Sequence, residues 1–173
     1  MINKEEMRGE VMNNKIKEEQ QTVYNLFFGA SFTGFAFDSC FTLKFNRETT
    51  IDIDGIKFRG DFKIIISSEL CIEDNKKAPK RTVQDGMSFS DKQSEPVLSY
   101  MLADLRWSDG ADIYDVKFED KGIKLLFRNG TKMYISNHDE DDYAWMICEA
   151  YTTFQDRSWD IICENNNIYI SRK

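Results

Sequence analysis

The feature that most constrains the fold of this chain is a near-repetition of its own sequence. The segment 29–53 can be laid over the segment 110–135 if the second copy is allowed one extra residue. Gly29 then falls on Gly110, and the alternating apolar residues of the first segment fall on those of the second. Because such self-similarity is typical of a structural unit used twice, the pattern predicts two similar building blocks.

The alternation within each copy is that of antiparallel strands with one buried face. Apolar side chains stand at every second position over residues 41–45, and polar ones lie between them. The first strand loses this alternation at the same place in both copies. Phe32 and Phe35 are three residues apart in the first copy, and Ile113 and Val116 hold the equivalent positions in the second. We therefore predict a β-bulge in each copy.

Helical patterns precede both sets of strands. Apolar residues recur at helical spacing over 11–28 and again after Ser94, a predicted N-cap, and Gly29 and Gly110 stand where these helices should end. We predict an α+β fold in which two similar helix-plus-antiparallel-meander units form one sheet-rich domain over residues 1–173. The predicted parts are the two units at about 11–66 and 94–149, a long connecting loop at 67–93 and a terminal hairpin at 159–171.

Turn residues separate the predicted strands. Asp38-Ser39 and residues 46–48 are the predicted turns of the first unit, and Asn129-Gly130 is a hairpin turn of the second. Residues 165–167, three consecutive asparagines, form the predicted last turn. Residues 70–72 are apolar, so they predict a short strand inside the long loop.

Charge and cysteine usage limit the classes of function. The net charge of −7 argues against nucleic acid and against an anionic membrane as partners, since both bind basic surfaces. No apolar run reaches the roughly 20 residues of a membrane span, and the charged start does not resemble a signal peptide, so we expect a cytoplasmic location. The four cysteines form no CxxC pair, which argues against a zinc ribbon or a thioredoxin site.

No catalytic motif stands out in the sequence. His138 is the only histidine, so a serine- or cysteine-based triad would have to use it, although it stands beside four consecutive carboxylates at 139–142. The spacing of these carboxylates does not match a calcium loop. We therefore expect that the protein is not an enzyme and holds neither a cofactor nor a metal ion.

The acidic segments are the best candidates for contact with a partner. Crowded carboxylates repel one another in the free protein, and a basic protein surface would relieve that repulsion. A solvated acidic turn is the simpler interpretation of the same residues. The predicted partner-binding residues are His138, Asp139, Glu140, Asp141 and Asp142 on one hairpin, together with Asp52, Asp54 and Asp61 in the first unit.

The tryptophans allow a different function. Trp107, Trp145 and Trp159 could line a pocket, which would make the protein a small-ligand or carbohydrate-binding module. Tryptophans at strand and helix-end positions more often pack in the core, and that is what we expect for these three.

The strand–turn–strand pattern from Val116 to Ile135 resembles a segment of small bacterial proteins. Some of these resemble immunity proteins of polymorphic toxin or contact-dependent growth inhibition systems. The resemblance covers mainly residues 110–149, with a fainter echo at 26–66, and it transfers no binding residues. It implies an acidic cytoplasmic immunity or antitoxin-like protein that binds and neutralises a cognate, basic toxin domain. The contact would use acidic loops or an exposed sheet edge.

Overall fold

A computed structural model describes residues 18–74 and 93–173 of the chain. Within these ranges it contains two helices and ten strands in two antiparallel sheets, which confirms the predicted α+β, sheet-rich fold. The helices are α1, which is helical over 18–27, and α2 (Glu95–Trp107). The strands are β1 (Ser31–Asp38), β2 (Cys40–Ile53), β3 (Ile56–Ile66), β4 (Leu70–Glu73), β5 (Ile113–Glu119), β6 (Gly122–Phe127), β7 (Lys132–Ser136), β8 (Trp145–Glu149), β9 (Trp159–Glu164) and β10 (Asn167–Arg172).

The larger sheet has the strand order β1-β2-β3-β8-β9-β10, and the smaller sheet has the order β4-β7-β6-β5. The two sheets join where β3 leads to β4 and β7 leads to β8. There the backbone N–H groups of Ser67 and Ser68 both donate to the carbonyl of Ala144, at 3.0 Å each. Apolar side chains from both sheets and both helices form one hydrophobic core, and α2 packs against β1 and β4.

The predicted loop at 67–93 and the first predicted helix are only partly described. The short strand expected at 70–72 is confirmed as β4, and it lies at the edge of the smaller sheet. Residues 75–92 of the loop and residues 11–17 of the helix lie outside the described ranges. None of the helices in the described ranges is long and apolar enough to cross a membrane.

Residues 46–48 do not form the predicted turn. They lie inside the long strand β2, whose pairing with β3 shifts register between Arg47 and Ile51. The chain instead reverses at Asp54-Gly55, where both residues have positive φ angles of 49° and 88°. The predicted turn at 46–48 is wrong because a polar bulge in a strand has the same residue types as a turn.

Arg47 explains why this bulge is polar. Its side chain is buried, and one guanidinium nitrogen donates to the carbonyls of Leu26 (3.2 Å) and Phe28 (2.6 Å) at the end of α1. The other terminal nitrogen donates to the hydroxyl of Thr49 at 2.8 Å. Burial lowers the pKa of Arg47. The arginine thus satisfies carbonyls that the last turn of a helix leaves without partners.

The structure does not confirm the two-unit repeat, although the beginnings of the two copies share several features. Gly29 and Gly110 have φ angles of 79° and 78°. The predicted bulges are confirmed at Phe32 in β1 and at Ile113 in β5. The copies then diverge, because the chain turns back at Asn129-Gly130 in the second copy but continues along β2 in the first.

The two copies also contact each other through residues that are equivalent in the sequence overlay. Ser31 forms an antiparallel bridge with Asp112, and its hydroxyl donates to the Asp112 carboxylate. On either side of this bridge, backbone hydrogen bonds of 2.9 Å join Phe32 to residue 111 and Ile113 to residue 30. The bridge therefore connects the edge strand of one sheet with the edge strand of the other.

The expectation that all three tryptophans pack in the core is wrong for Trp107. Trp145 and Trp159 are fully buried, whereas Trp107 is 83% exposed. The buried stripe of α2 consists of Leu98, Leu102 and Leu105. Trp107 follows this stripe at the end of the helix, outside the core. Its ring lies next to the guanidinium of Arg106.

We predict that replacing Arg47 with methionine destabilises the protein by about 2–4 kcal/mol, because the α1 carbonyls lose charged hydrogen bonds while remaining partly buried. Urea unfolding followed by circular dichroism measures this change. Arg59→Met is the matched control, because Arg59 is exposed on the neighbouring strand β3. Equal stability of the two variants would contradict the assigned role.

Candidate functional site

Asn137 connects three turns at one end of the molecule. It is buried, and its backbone N–H donates to the carbonyl of Lys121 in the β5–β6 turn at 2.9 Å. Its carbonyl accepts the N–H of Asn166 in the β9–β10 turn at 3.0 Å, and its side-chain amide donates to the Asn166 side chain at the same distance. The amide oxygen of Asn137 accepts the indole N–H of the core residue Trp145 at 2.9 Å.

The acidic turn at 138–142 begins directly after Asn137. It was predicted as a hairpin, but it links β7 in the smaller sheet to β8 in the larger sheet. One carboxylate oxygen of Asp139 accepts the backbone N–H groups of Asp141 (3.0 Å) and Asp142 (3.1 Å). Asp142 in turn accepts the N–H of Tyr143 at 2.8 Å. Hydrogen bonds within the turn and at its base therefore fix its conformation.

The turns on either side of Asn137 add charge that the sequence interpretation did not assign to the site. Asp120 stands in the β5–β6 turn beside Lys121, and Glu164 ends β9 beside the β9–β10 turn. Both side chains are exposed, as are His138, Glu140, Asp141 and Asp142. We call this surface the acidic end, defined by Asp120, His138, Asp139, Glu140, Asp141, Asp142 and Glu164.

The strand register places the acidic turn and the β9–β10 turn at the same end of the larger sheet. One row of directly opposed residues crosses five of its strands, and the chain leaves the sheet just beyond that row. Asp38, in the exposed β1–β2 turn, lies at this end as well. The row consists of Phe41, Ile66, Trp145, Cys163 and Ile168.

Tyr143 closes the acidic turn on the side of the larger sheet. Burial raises its pKa, and the neighbouring carboxylate of Asp142 raises it further, although a hydrogen bond with Ser67 opposes the shift. His138 is exposed, and its backbone N–H donates to the hydroxyl of Ser136 at 3.2 Å. Within residues 18–74 and 93–173, no three His, Cys, Asp or Glu side chains converge in a way that could hold a metal ion.

Three of the predicted site residues do not join the acidic end. Asp54 lies in the β2–β3 turn, ten residue steps along β3 from the acidic end, which corresponds to roughly 33 Å. Asp52 is beside it and pairs with Lys57 at 2.9 Å, which lowers the pKa of Asp52 together with a hydrogen bond from the N–H of Gly55. Asp61 is midway along β3 and accepts the amide of Asn46 at 2.7 Å.

Positive charges and aromatic rings mark the opposite end instead. The exposed ring of Phe154 lies 4.0 Å from the guanidinium carbon of Arg157 and 3.8 Å from the ammonium nitrogen of Lys173. Arg157 forms a buried ion pair of 2.9 Å with Asp160. Ion pairs therefore neutralise several carboxylates at this end, namely those of Asp52, Asp54 and Asp160.

Two of the buried cysteine side chains, Cys148 and Cys163, lack the properties of activated nucleophiles. Cys71, Cys148 and Cys163 are buried, and Cys40 is partly exposed. Burial raises the pKa of Cys148, and it raises the pKa of Cys163 to about 12. Because the thiolate is the reactive form, these two residues are poor nucleophiles at neutral pH.

No protein-family model, no curated protein and no solved structure matches this chain. The tryptophans do not share a pocket in the described part of the chain, since Trp145 and Trp159 fill the core and Trp107 stands in solvent. Among the described residues, the acidic end is thus the strongest candidate for a functional surface.

We predict that Asn137→Ala destabilises the fold by about 2–3 kcal/mol, because the indole N–H of Trp145 loses its buried acceptor. Amide hydrogen exchange over residues 138–143 should accelerate more than exchange in β2. Asn167→Ala is the matched control, because Asn167 is exposed and its side chain donates to the nearby carbonyl of Asn165 at 3.0 Å. Unchanged exchange in the acidic turn would show that Asn137 does not anchor it.

A second prediction concerns thiol reactivity. In the folded protein at pH 8, Ellman's reagent should modify Cys40 promptly and the three buried cysteines only on unfolding. Peptide mapping of the modified protein identifies the site, and the urea-unfolded chain gives the total of four thiols. Prompt modification of Cys148 or Cys163 would contradict the packing described above.

Proposed function

We propose that this protein is an immunity or antitoxin-like protein of the bacterial cytoplasm, which binds a cognate toxin domain and neutralises it. The observation that carries the proposal is the acidic end, where carboxylates from three turns are held around Asn137. Its natural counterpart is a basic protein surface, and the protein acts by covering that surface and not by catalysis.

The charge distribution supports a protein partner reached by electrostatic attraction. A net charge of −7 attracts a basic protein over a distance, and the clustering of carboxylates orients the encounter. The acidic end can bind without a large rearrangement, because Asp139 and Asn137 already fix its backbone. A preformed surface avoids the entropy cost of ordering a loop on binding.

The alternative, a small-ligand or carbohydrate-binding module with a tryptophan-lined pocket, has less support. Such a pocket needs aromatic side chains that converge on an open cavity. The indole of Trp159 packs edge-on against Phe58, with ring centroids 5.0 Å apart, and that of Trp145 is bonded to Asn137. Both indole rings are therefore packed in the core and do not line an open cavity.

The test uses the product of the reading frame next to this gene, purified as its toxin domain. The triple variant Asp139→Asn, Asp141→Asn, Asp142→Asn should slow association at least about tenfold at low salt, because it removes three steering charges. The amide oxygen of asparagine can still accept the hydrogen bonds of the turn, so the loop conformation is kept. Surface plasmon resonance at low and high salt measures the association rate.

The matched control is Asp52→Asn combined with Asp61→Asn and Asp109→Asn, which removes the same charge from positions outside the acidic end. This control should retain most of the association rate. If the adjacent gene product is not toxic and the purified protein binds no basic domain, the proposed function is wrong. If both triple variants lose the same amount, net charge and not the acidic end drives binding.

A further inference from the structure

The two sheets together have four edge strands, and three of them are obstructed. At β4, the side-chain amide of Gln93 occupies the edge, since it accepts the N–H of Ile72 at 2.7 Å and donates to its carbonyl at 2.9 Å. At β5, the carboxylate of Asp115 accepts the N–H of Val116 at 3.0 Å. At β1, Ser31 at the start of the strand is bridged to Asp112, and α2 packs against the strand. Such devices prevent another chain from adding to a sheet.

β10 carries no such device within the described residues. It pairs only with β9, through a two-residue turn at Asn165-Asn166. In such a hairpin the backbone groups of Asn167, Tyr169 and Ser171 face β9. The N–H and C=O groups of Ile168, Ile170 and Arg172 therefore point away from the sheet, and no hydrogen bond to them is found in residues 18–74 and 93–173.

A groove of about 370 Å³ follows this edge between β10 and α1. It is lined by Glu18, Glu19, Thr22, Asp54, Tyr169 and Ile170. The carboxylate of Asp54 is paired with the guanidinium of Arg172 at 2.8 Å, and Glu18 and Glu19 add two further carboxylates from α1. Tyr169 and Ile170 supply the apolar part of this lining. The side chains of a lysine or arginine would fit such a groove, with the stem on Ile170 and the charged head beside the carboxylates.

β10 also connects the groove to the acidic end. The strand starts at the Asn165-Asn166 turn, which Asn137 holds beside the acidic turn. It ends at Arg172, whose guanidinium contacts Asp54 at 2.8 Å. A partner that covers the acidic end thus has a continuous path along the outward backbone of β10 to the groove.

We infer that β10 accepts an extended, cationic segment of the partner protein as an eleventh strand, whose alternate side chains enter the acidic groove. This inference rests on the proposed function and names the second contact of the same partner. Main-chain hydrogen bonds to Ile168, Ile170 and Arg172 would give affinity, and basic residues facing Glu18 would give specificity.

A second copy of this chain fits the edge less well. Two β10 strands paired about a two-fold axis would bring two acidic grooves together, and each chain already carries a net charge of −7. A cationic strand reverses that repulsion. The charge of the groove therefore selects a basic partner segment over self-association.

The test removes the donor at Ile170 without changing any side chain. Residues 163–173 begin with a native cysteine, so a synthetic segment with N-methyl-Ile170 can be ligated to residues 1–162 to give the full chain. The methyl group lies on the outward side of β10, where it leaves the pairing with β9 intact. Affinity for the toxin domain should fall at least about tenfold relative to the unmodified ligated chain.

A charge variant tests the groove separately. Glu18→Lys should weaken binding of the toxin domain about fivefold or more, and Asp109→Lys, at an exposed position just after α2, should have little effect. Besides the toxin domain, a second probe of β10 is an acetylated, amidated octapeptide of alternating lysine and valine. At low salt it should slow amide hydrogen exchange at Ile168, Ile170 and Arg172, and an N-methylated peptide of the same charge should not.

The outcomes separate this inference from the proposed function. The inference is wrong if the N-methylated chain binds the toxin domain with unchanged affinity and if neither the toxin domain nor the octapeptide slows exchange at the three amides. Binding of the toxin domain by the wild type would still support the proposed function in that case. If the toxin domain does not bind at all, the function fails, and the octapeptide alone decides about β10. Protection of the three amides that grows with protein concentration, without either probe, would make a second copy the occupant and also overturn the inference.

Discussion

The position of the acidic surface depends on the amide of Asn137. A buried amide must find partners for its donors and its acceptor, and here each partner belongs to a different part of the fold. The side-chain amide of Asn137 bonds to the indole of Trp145 in the core and to Asn166 in the terminal hairpin, and the backbone N–H of Asn137 bonds to the carbonyl of Lys121 in the smaller sheet. A flexible acidic loop would have spread its charge over many conformations. Asn137 instead fixes the origin of the loop, so that carboxylates remain close together despite their repulsion.

Repulsion between the carboxylates of the acidic end lowers the stability of the free protein. Elsewhere in the chain, basic side chains next to carboxylates avoid this cost. Asp52 lies beside Lys57, Asp54 beside Arg172, and the buried Asp160 beside Arg157. At the acidic end, by contrast, the carboxylate of Asp139 is satisfied by backbone N–H groups, which leave its charge uncompensated. The contrast within one molecule distinguishes a surface that stays negative from surfaces that are neutralised internally.

The sequence predicted the fold class, the bulges at Phe32 and Ile113, and the short strand β4, because each follows from local alternation of apolar residues. It misplaced the turn at 46–48, because the polar residue that breaks the pattern there is Arg47, whose partners lie on α1. The grouping of the acidic residues failed for the same reason. Asp54 and Asp142 are both acidic residues in segments between strands, so the sequence does not distinguish them. Only the register of β3 with β8 shows that they lie at opposite ends of the molecule. Asp120 and Glu164 gave no local signal, since their proximity to the acidic turn arises through Asn137.

The protection of the sheet edges also depends on contacts that the local sequence pattern does not show. Gln93 looks like an ordinary polar residue before a helix, yet its amide replaces a neighbouring strand at Ile72. Asp115 accepts the backbone N–H of Val116, the next residue of its own strand. Once two edges are closed by side chains and a third by Asp112 and α2, the open edge of β10 is the exception in a fold that otherwise protects its sheets. Since an open edge exposes a protein to unwanted pairing, the acidic groove beside β10 supplies the selectivity that the backbone alone lacks. Carboxylates along an edge discourage pairing with another copy of an acidic chain and favour a basic one, so the same charge both protects the strand and specifies its partner.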